Sequence, residues 1–120
     1  MPYETVLLPN EIGYIVKSIE LGFAEIKLRI SPSEERIPKI NLVTQATDIP
    51  EQFVQACLEG IQDRLDSGII AGYPVEYIEV NILQFRVHPQ DSTCEAFESA
   101  GFHGLKWAFI EANPIVVEDD

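Results

Sequence analysis

Residues 48–87 read DIPEQFVQACLEGIQDRLDSGIIAGYPVEYIEVNILQFRV, and this stretch decides the fold. It begins with an amphipathic helix, because apolar residues recur at three- and four-residue spacing and the residues between them are mostly acidic or amide. The apolar stripe consists of Phe53, Cys57, Leu58, Ile61 and Leu65. We expect Asp48 and Glu51 to form a capping box at the start of this helix, and Gly68 to end it in a left-handed conformation.

A long apolar strand follows the helix, after a tight turn that contains Gly72 and Pro74. β-Branched and aromatic residues from Val75 onward favour extended structure. The apolar residues change phase along the strand. One face holds Ile78, Val80 and Ile82, and the other holds Leu83, Phe85 and Val87. A β-bulge near Leu83 reconciles the two sets, so we predict one there.

The chain before the central helix is predicted to be mostly extended. We expect an edge strand at 3–8, a hairpin made of 13–19 and 23–30 with its tip at 20–22, and a short extended lead-in at 40–43. Alternation supports the second hairpin strand, since every other residue is apolar. Its buried face is predicted to hold Ala24, Ile26, Leu28 and Ile30.

A second helix is predicted after residues 91–93, with Asp91 or Ser92 as the cap and Glu95 completing a capping box on Ser92. Its apolar stripe is rich in small residues, so the helix can approach its neighbour closely. The stripe consists of Phe97, Ala100, Gly101, Gly104, Leu105, Ala108 and Ala112. Pro114 ends the helix and 115–117 form a last strand. The predicted fold class is therefore α+β, a mixed four-stranded sheet with two helices on one face.

Composition limits the classes of protein to which the chain can belong. Its 120 residues suit one domain, 1–120, with one core. It lacks an apolar run of roughly 18 residues and a secretion signal, so we expect no membrane association and a cytoplasmic location. The net charge of −12 opposes nucleic-acid binding by the whole surface, unless the few cations gather on one end or the target is partly ribosomal protein. Cys57 and Cys94 lack the spacing of a metal site or a disulfide framework.

Residues 59–75, EGIQDRLDSGIIAGYPV, closely resemble the helix-and-turn signature of domain IV of elongation factor G, the ribosomal translocase. The family's spacings from Gly72-Tyr73-Pro74 are also kept further on, by His88, Asp91-Ser92-Thr93, Ala96-Phe97 and Asn113-Pro114. Residues 3–5 and 22–32 match in outline. The resemblance implies the ribosomal protein S5 domain 2-like fold, with a left-handed βαβ crossover. It also implies a translation-factor module that contacts the ribosome, at the decoding region beside tRNA and mRNA, during elongation or translocation.

The resemblance places His88 at the tip of the domain, and we predict a loop there that contacts RNA or the ribosome. His88 is its central residue, because histidine can donate to phosphate and stack on a base. Its predicted neighbours are Arg86, Gln90 and Lys17. Both tip loops depart from the family. Its Ser-Gly-Gly-Arg-Gly-Gln-Tyr corresponds here to YIVKSIELG, and its Gly-Ser-Tyr-His to residues 85–88, FRVH.

We expect no enzymatic activity, cofactor or metal in this chain. There is no Gly-x-x-x-x-Gly-Lys motif, so GTP binding must belong to a separate domain or partner. His88, Asp91 and Cys94 are close in sequence, yet no oxyanion-stabilising motif accompanies them. The expected partners are the ribosome, through RNA or protein, and a GTPase domain. The alternative is a diverged protein-interaction module with no RNA role, which could form a homodimer through the exposed strand at 3–8.

Overall fold

The structure is a computed structural model that describes residues 2–6, 14–43, 49–88 and 90–118. The elements in chain order are β1 Tyr3–Val6, β2 Ile15–Leu21, β3 Ala24–Pro32, β4 Lys39–Leu42, α1 Glu51–Ser67, β5 Ile78–Val87, α2 Cys94–Glu111 and β6 Pro114–Val117. Neither helix combines the length and the apolar character that crossing a membrane requires.

The main sheet has four strands in the order β2-β3-β5-β4. β2 and β5 both run antiparallel to β3, whereas β4 runs parallel to β5, so the sheet is mixed. α2 lies against β2 and β3, and α1 packs along α2, so both helices cover the same face. The predicted α+β fold, a mixed four-stranded sheet with two helices on one face, is confirmed.

β1 and β6 form a separate, antiparallel two-stranded sheet. The predicted edge strand at 3–8 is therefore confirmed for Tyr3–Val6, while residues 7 and 8 lie outside the described part. The second side of β1 is also occupied, because Glu4 N donates to Pro74 O at 2.9 Å and Glu76 N donates to Glu4 O at 2.9 Å. The described part of β1 therefore does not offer the free edge on which the homodimer prediction relied.

The core lies between the helices and the inner face of the sheet. The predicted inner residues of β3 are all buried: Ala24, Ile26, Leu28 and Ile30. The predicted bulge in β5 is present, since Lys27 pairs with Gln84 whereas the next residue, Leu28, pairs with Ile82. Leu83 is the extra residue, and the bulge lets Phe85 point inward on the same side as Ile82.

Glycines allow the two helices to touch. A Cβ at Gly101 would lie 2.5 Å from Cys57 O, and a Cβ at Gly60 would clash with the backbone oxygen of Glu98. The close approach predicted from the small-residue stripe of α2 is thus confirmed. The stripe also contains Phe109, which is fully buried. The ring of Phe97 joins the helices to the sheet, because it contacts rings on both α1 and β5.

Several element boundaries differ from the prediction. β5 begins at Ile78 rather than Val75, because Tyr77 has a positive φ of 62° that interrupts the extended chain. Val75 forms only an isolated bridge with Glu4. The predicted lead-in at 40–43 is a strand, β4, because parallel pairing with β5 holds it extended.

The turns and caps also differ. The hairpin turn is formed by Gly22 and Phe23, one to two residues later than predicted. The N-cap position of α1 is Pro50, and Asp48, the predicted cap, lies outside the described residues. Gly68 ends α1 as predicted and has a positive φ of 82°, but its ψ of 175° is extended, so the predicted left-handed helical conformation was wrong.

Candidate functional site

Two loops meet at one end of the sheet and form what we call the tip: the turn Gly22–Phe23 and the loop residues 88 and 90–92. They meet because Ala24, which follows the turn, pairs with Val87, the last residue of β5. The Ser92 hydroxyl joins them. Its Oγ accepts a hydrogen bond from His88 N at 2.8 Å and donates one to Phe23 O at 2.6 Å.

This use of Ser92 corrects the predicted cap of α2. The N-cap is Thr93, whose Oγ1 accepts from Ala96 N at 3.1 Å. Ser92 is bonded to the other loop instead. The hydroxyl that we expected to stabilise a helix therefore fixes the relative position of two loops.

Phe23 and His88 form the exposed aromatic part of the tip. Their ring centroids lie 5.7 Å apart, with an interplanar angle of 68°. The side chain of Phe23 is 51% exposed and His88 is half-buried. Sequence reasoning missed Phe23, although a bulky aromatic residue directly after Gly22, on the outward side of a hairpin, was an available signal. It provides an aromatic ring at the tip, where the family's tyrosine before His88 is absent.

The predicted cations do not all surround His88. Arg86 lies near it at the end of β5, but its Nη1 is 3.6 Å from Glu25 Oε2, so its charge is partly paired. Gln90 is exposed in the loop. Lys17 pairs with Glu111, with 2.6 Å between Nζ and Oε1, at the end of α2 opposite to the tip. His88, Arg86 and Gln90 thus follow one another closely in the chain at this end of the sheet, and the placement of Lys17 beside them was wrong.

Acidic and basic residues are distributed differently on the two layers of the molecule, the sheet and the helices. The outer face of the sheet, which turns away from the helices, mixes the basic residues Lys27, Arg29, Lys39 and Arg86 with the acidic residues Glu20, Glu25 and Glu79. The helices carry the exposed acids Glu51, Glu59, Asp63, Asp66, Glu95, Glu98 and Glu111. The basic residues of the helices are the half-buried Lys106 and the buried Arg64. Within the described part of the chain, the largest excess of negative charge therefore lies on the helix layer, and the cations are spread over a face rather than gathered at the tip.

The two thiols lie in different surroundings. Cys57 is fully buried, and this burial raises the pKa of its thiol to about 12. Cys94 is exposed, and its Sγ donates to Gln52 O at 3.7 Å. Among the described residues, no group of three or more His, Cys, Asp or Glu side chains could hold a metal ion. Cys57 is thus protonated at neutral pH and acts as a core residue.

Comparison with known proteins agrees with this architecture. A crystal structure of a protein from Thermus thermophilus is similar to this chain, with a TM-score of 0.69 and 25% sequence identity. The similarity covers 96% of this chain but 18% of that protein, so this chain spans less than a fifth of its length. Residues 3–113 match the family model described as elongation factor G, domain IV. Because this match extends from β1 to the end of α2, the chain belongs to the elongation factor G domain IV family.

Proposed function

We propose that this chain is the domain IV-like module of a translation factor and contacts the ribosome during elongation or translocation. Its contact region would be the decoding region, beside tRNA and mRNA. The observation that carries the proposal is the family match over residues 3–113. The joined loops of the tip give it a defined contact surface, because loops held on a rigid sheet commonly carry binding residues.

The tip would bind by stacking and shape rather than by a basic patch. Phe23 offers a half-exposed ring for an unstacked base, and His88 adds a second ring that can also donate to a phosphate oxygen. Gln90 can hydrogen-bond to a base edge or a sugar. Arg86 lies at the border, where Glu25 moderates its charge. Lys17 takes no part, because it is bonded to Glu111.

The catalytic activity of the translation factor would reside outside this chain. We propose that residues 1–120 act as one non-catalytic domain without a cofactor, in the cytoplasm. GTP binding and hydrolysis would reside in a separate domain or a partner protein. This division is supported by the sequence, which contains no Gly-x-x-x-x-Gly-Lys motif.

Ribosome co-sedimentation tests the proposal. The chain is compared with the Phe23→Ala and His88→Ala variants, each at low and moderate salt. We expect each variant to weaken binding about fivefold or more, since stacking contributes about 1–3 kcal/mol per base. The matched control is Ile37→Ala. Ile37 is 77% exposed and lies in the loop after β3, at the opposite end of the sheet from the tip.

Two results would contradict the proposal: no sedimentation of the parent chain with ribosomes, or equal losses in the tip variants and the Ile37→Ala control. Either would favour the alternative, a protein-interaction module that kept the fold without an RNA role. The pairing of Arg86 with Glu25 and the position of Lys17 away from the tip favour this second candidate, because they weaken the phosphate contact that cations could make near His88.

A further inference from the structure

The outward side of α2 carries aromatic and aliphatic side chains that nothing in the described chain covers. His103, Trp107 and Ile110 follow one another at helical spacing and are all exposed, Trp107 to 41% and Ile110 to 52%. The rings of His103 and Trp107 stack, with centroids 6.4 Å apart and an interplanar angle of 28°. Contiguous exposed apolar surface of this kind marks an interaction site, and tryptophan is enriched at the centre of such sites.

An acidic groove adjoins these rings, between α1 and α2. It has a volume of about 410 Å³ and is lined by Asp63, Glu95, Glu98, Ser99, Phe102 and His103. His103 therefore belongs both to the groove and to the aromatic stack. Phe102 is held in place because the Arg64 guanidinium lies 3.7 Å above its ring and Arg64 Nε donates to Phe102 O at 2.9 Å.

We propose that this surface, the groove together with His103, Trp107 and Ile110, binds a basic polypeptide segment. Lysine or arginine side chains would pair with the groove carboxylates and lie over the aromatic rings, where cation–π attraction adds to the Coulomb term. The argument for this occupant is charge complementarity. The carboxylates of Asp63, Glu95 and Glu98 line the groove, and Glu51, Glu59 and Asp66 are exposed on the same helix layer. Lys106 is half-buried, and Glu111 is already paired with Lys17. The same field repels nucleic-acid phosphates, so a protein segment fits and RNA does not.

This surface goes beyond the tip and differs from it chemically. The tip is formed by loops at the start of α2, with Phe23 and His88, whereas Trp107 and Ile110 lie in the last two turns of the helix. Binding here therefore does not require the tip. A factor with both surfaces could contact RNA at one and a basic protein at the other.

Fluorescence provides a direct test, because Trp107 is the only tryptophan of the chain. The protein is titrated at low salt with a 12-residue peptide of alternating lysine and alanine. Parallel titrations use a glutamate–alanine peptide of the same length and a 12-nucleotide uridine RNA. We expect a saturable change in Trp107 emission with the lysine peptide alone, and a weaker affinity as salt is added.

Variants of the groove test whether the lysine peptide binds at the proposed surface. D63N/E98Q removes two groove charges with little change of shape, and we expect it to weaken peptide binding at least tenfold. The control E20Q/E34Q removes two charges outside the helix layer, at exposed positions, and we expect less than a twofold change. Trp107→Ala, measured by calorimetry, should also weaken binding at least fivefold. Circular dichroism of each variant shows that its fold is retained.

The proposal is overturned if the lysine peptide gives no saturable change, if the RNA gives one instead, or if E20Q/E34Q loses as much affinity as D63N/E98Q. Phe23→Ala and His88→Ala must keep peptide binding, because neither residue lies on this surface. Their ribosome sedimentation tests the proposed function separately, so a failure of one proposal is distinguishable from a failure of the other.

Discussion

The two loops that flank β5 are held in opposite ways. The loop before β5 surrounds the carboxylate of Glu4, which accepts four backbone N–H hydrogen bonds. The donors are Ile69 at 2.5 Å, Ile70 at 2.8 Å, Ala71 at 3.1 Å and Tyr73 at 2.9 Å. Among the hydrogen bonds of the described residues, those of the Ser92 hydroxyl join the loop after β5 to its neighbour.

This difference distinguishes a loop that stabilises the fold from a loop whose neighbouring side chains remain exposed. Glu4 is 1% exposed, and its four donors are used inside the molecule, so the first loop has its polar backbone groups occupied. Burial raises the pKa of Glu4, but the backbone hydrogen bonds outweigh this effect and leave the pKa below its usual 4.5. At the second loop, Phe23 of the neighbouring turn is exposed and His88 is half-buried. Backbone polar groups at one end of β5 are therefore used to hold the fold together, whereas at the other end aromatic side chains remain partly exposed.

The largest effect is expected at Gly68, where the first loop leaves α1. Gly68 and Gly72 both have positive φ, of 82° and 81°. A Cβ at Gly68 would lie 2.5 Å from Tyr73 O and would strike the Glu4 carboxylate, whereas a Cβ at Gly72 meets nothing within 4 Å. We expect Gly68→Ala to lower the free energy of unfolding by about 3 kcal/mol or more.

Gly72→Ala is the matched control for that substitution. It also adds a Cβ at a positive φ, but without the contact, so we expect a loss of only about 1–2 kcal/mol. Urea unfolding followed by circular dichroism measures both variants. Equal losses would show that the packing around Glu4 is not what makes Gly68 necessary.

Glu4→Gln is expected to have the next largest effect. The amide keeps the shape of the side chain but replaces one acceptor oxygen with a donor nitrogen, which would face backbone N–H groups. We expect a loss of about 2–3 kcal/mol in the free energy of unfolding, because buried donors lose a charged acceptor. Glu20→Gln, at an exposed position of β2, should change stability by less than about 0.5 kcal/mol. A neutral Glu4→Gln would mean that the loop needs only the shape of the side chain.

The pH dependence of stability provides a third and smaller effect. The folded-state pKa of Glu4 lies below 4.5, so the carboxylate binds a proton more weakly in the folded than in the unfolded chain. Its contribution is complete above pH 4.5 and is lost as the pH falls through the folded-state pKa. The difference in unfolding free energy between the parent chain and Glu4→Gln should therefore narrow between pH 6 and pH 3. A constant difference over that range would contradict the lowered pKa.

Local patterns in the sequence predicted much of the architecture. The alternation in β3, the phase change at Leu83 and the small residues of α2 each depend on neighbours within one element. Such patterns record which face of an element is buried, so they predicted the core and the bulge. The family signature at 59–75 also includes Gly68 and Gly72, which the Glu4 loop requires.

Contacts between distant residues were not predictable in this way. Glu4 lies 65 or more positions before its donors, and nothing in a short strand shows that one carboxylate is buried. Lys17 and Glu111 are 94 positions apart, so the pairing that removes Lys17 from the tip was not visible either. The tip itself depends on such a contact, since the Ser92 hydroxyl crosses 69 positions to Phe23.

Ser92→Ala is expected to have the smallest effect on the free energy of unfolding, together with a specific effect on the tip. The substitution leaves His88 N and Phe23 O without their hydrogen bonds at a partly exposed site, which costs about 1 kcal/mol. Thr93→Ala is the matched control, because it removes the neighbouring hydroxyl and the cap of α2 at a similar cost of about 1 kcal/mol. Amide hydrogen exchange separates the two. The His88 amide should exchange faster in Ser92→Ala but not in Thr93→Ala, since only Ser92 accepts its hydrogen bond. Equal exchange of the His88 amide in both variants would mean that packing of Phe23 against His88, and not the Ser92 hydroxyl, holds the tip. The loop after β5 would then not depend on one side chain, and it would resemble the loop before β5 more closely than its hydrogen bonds indicate.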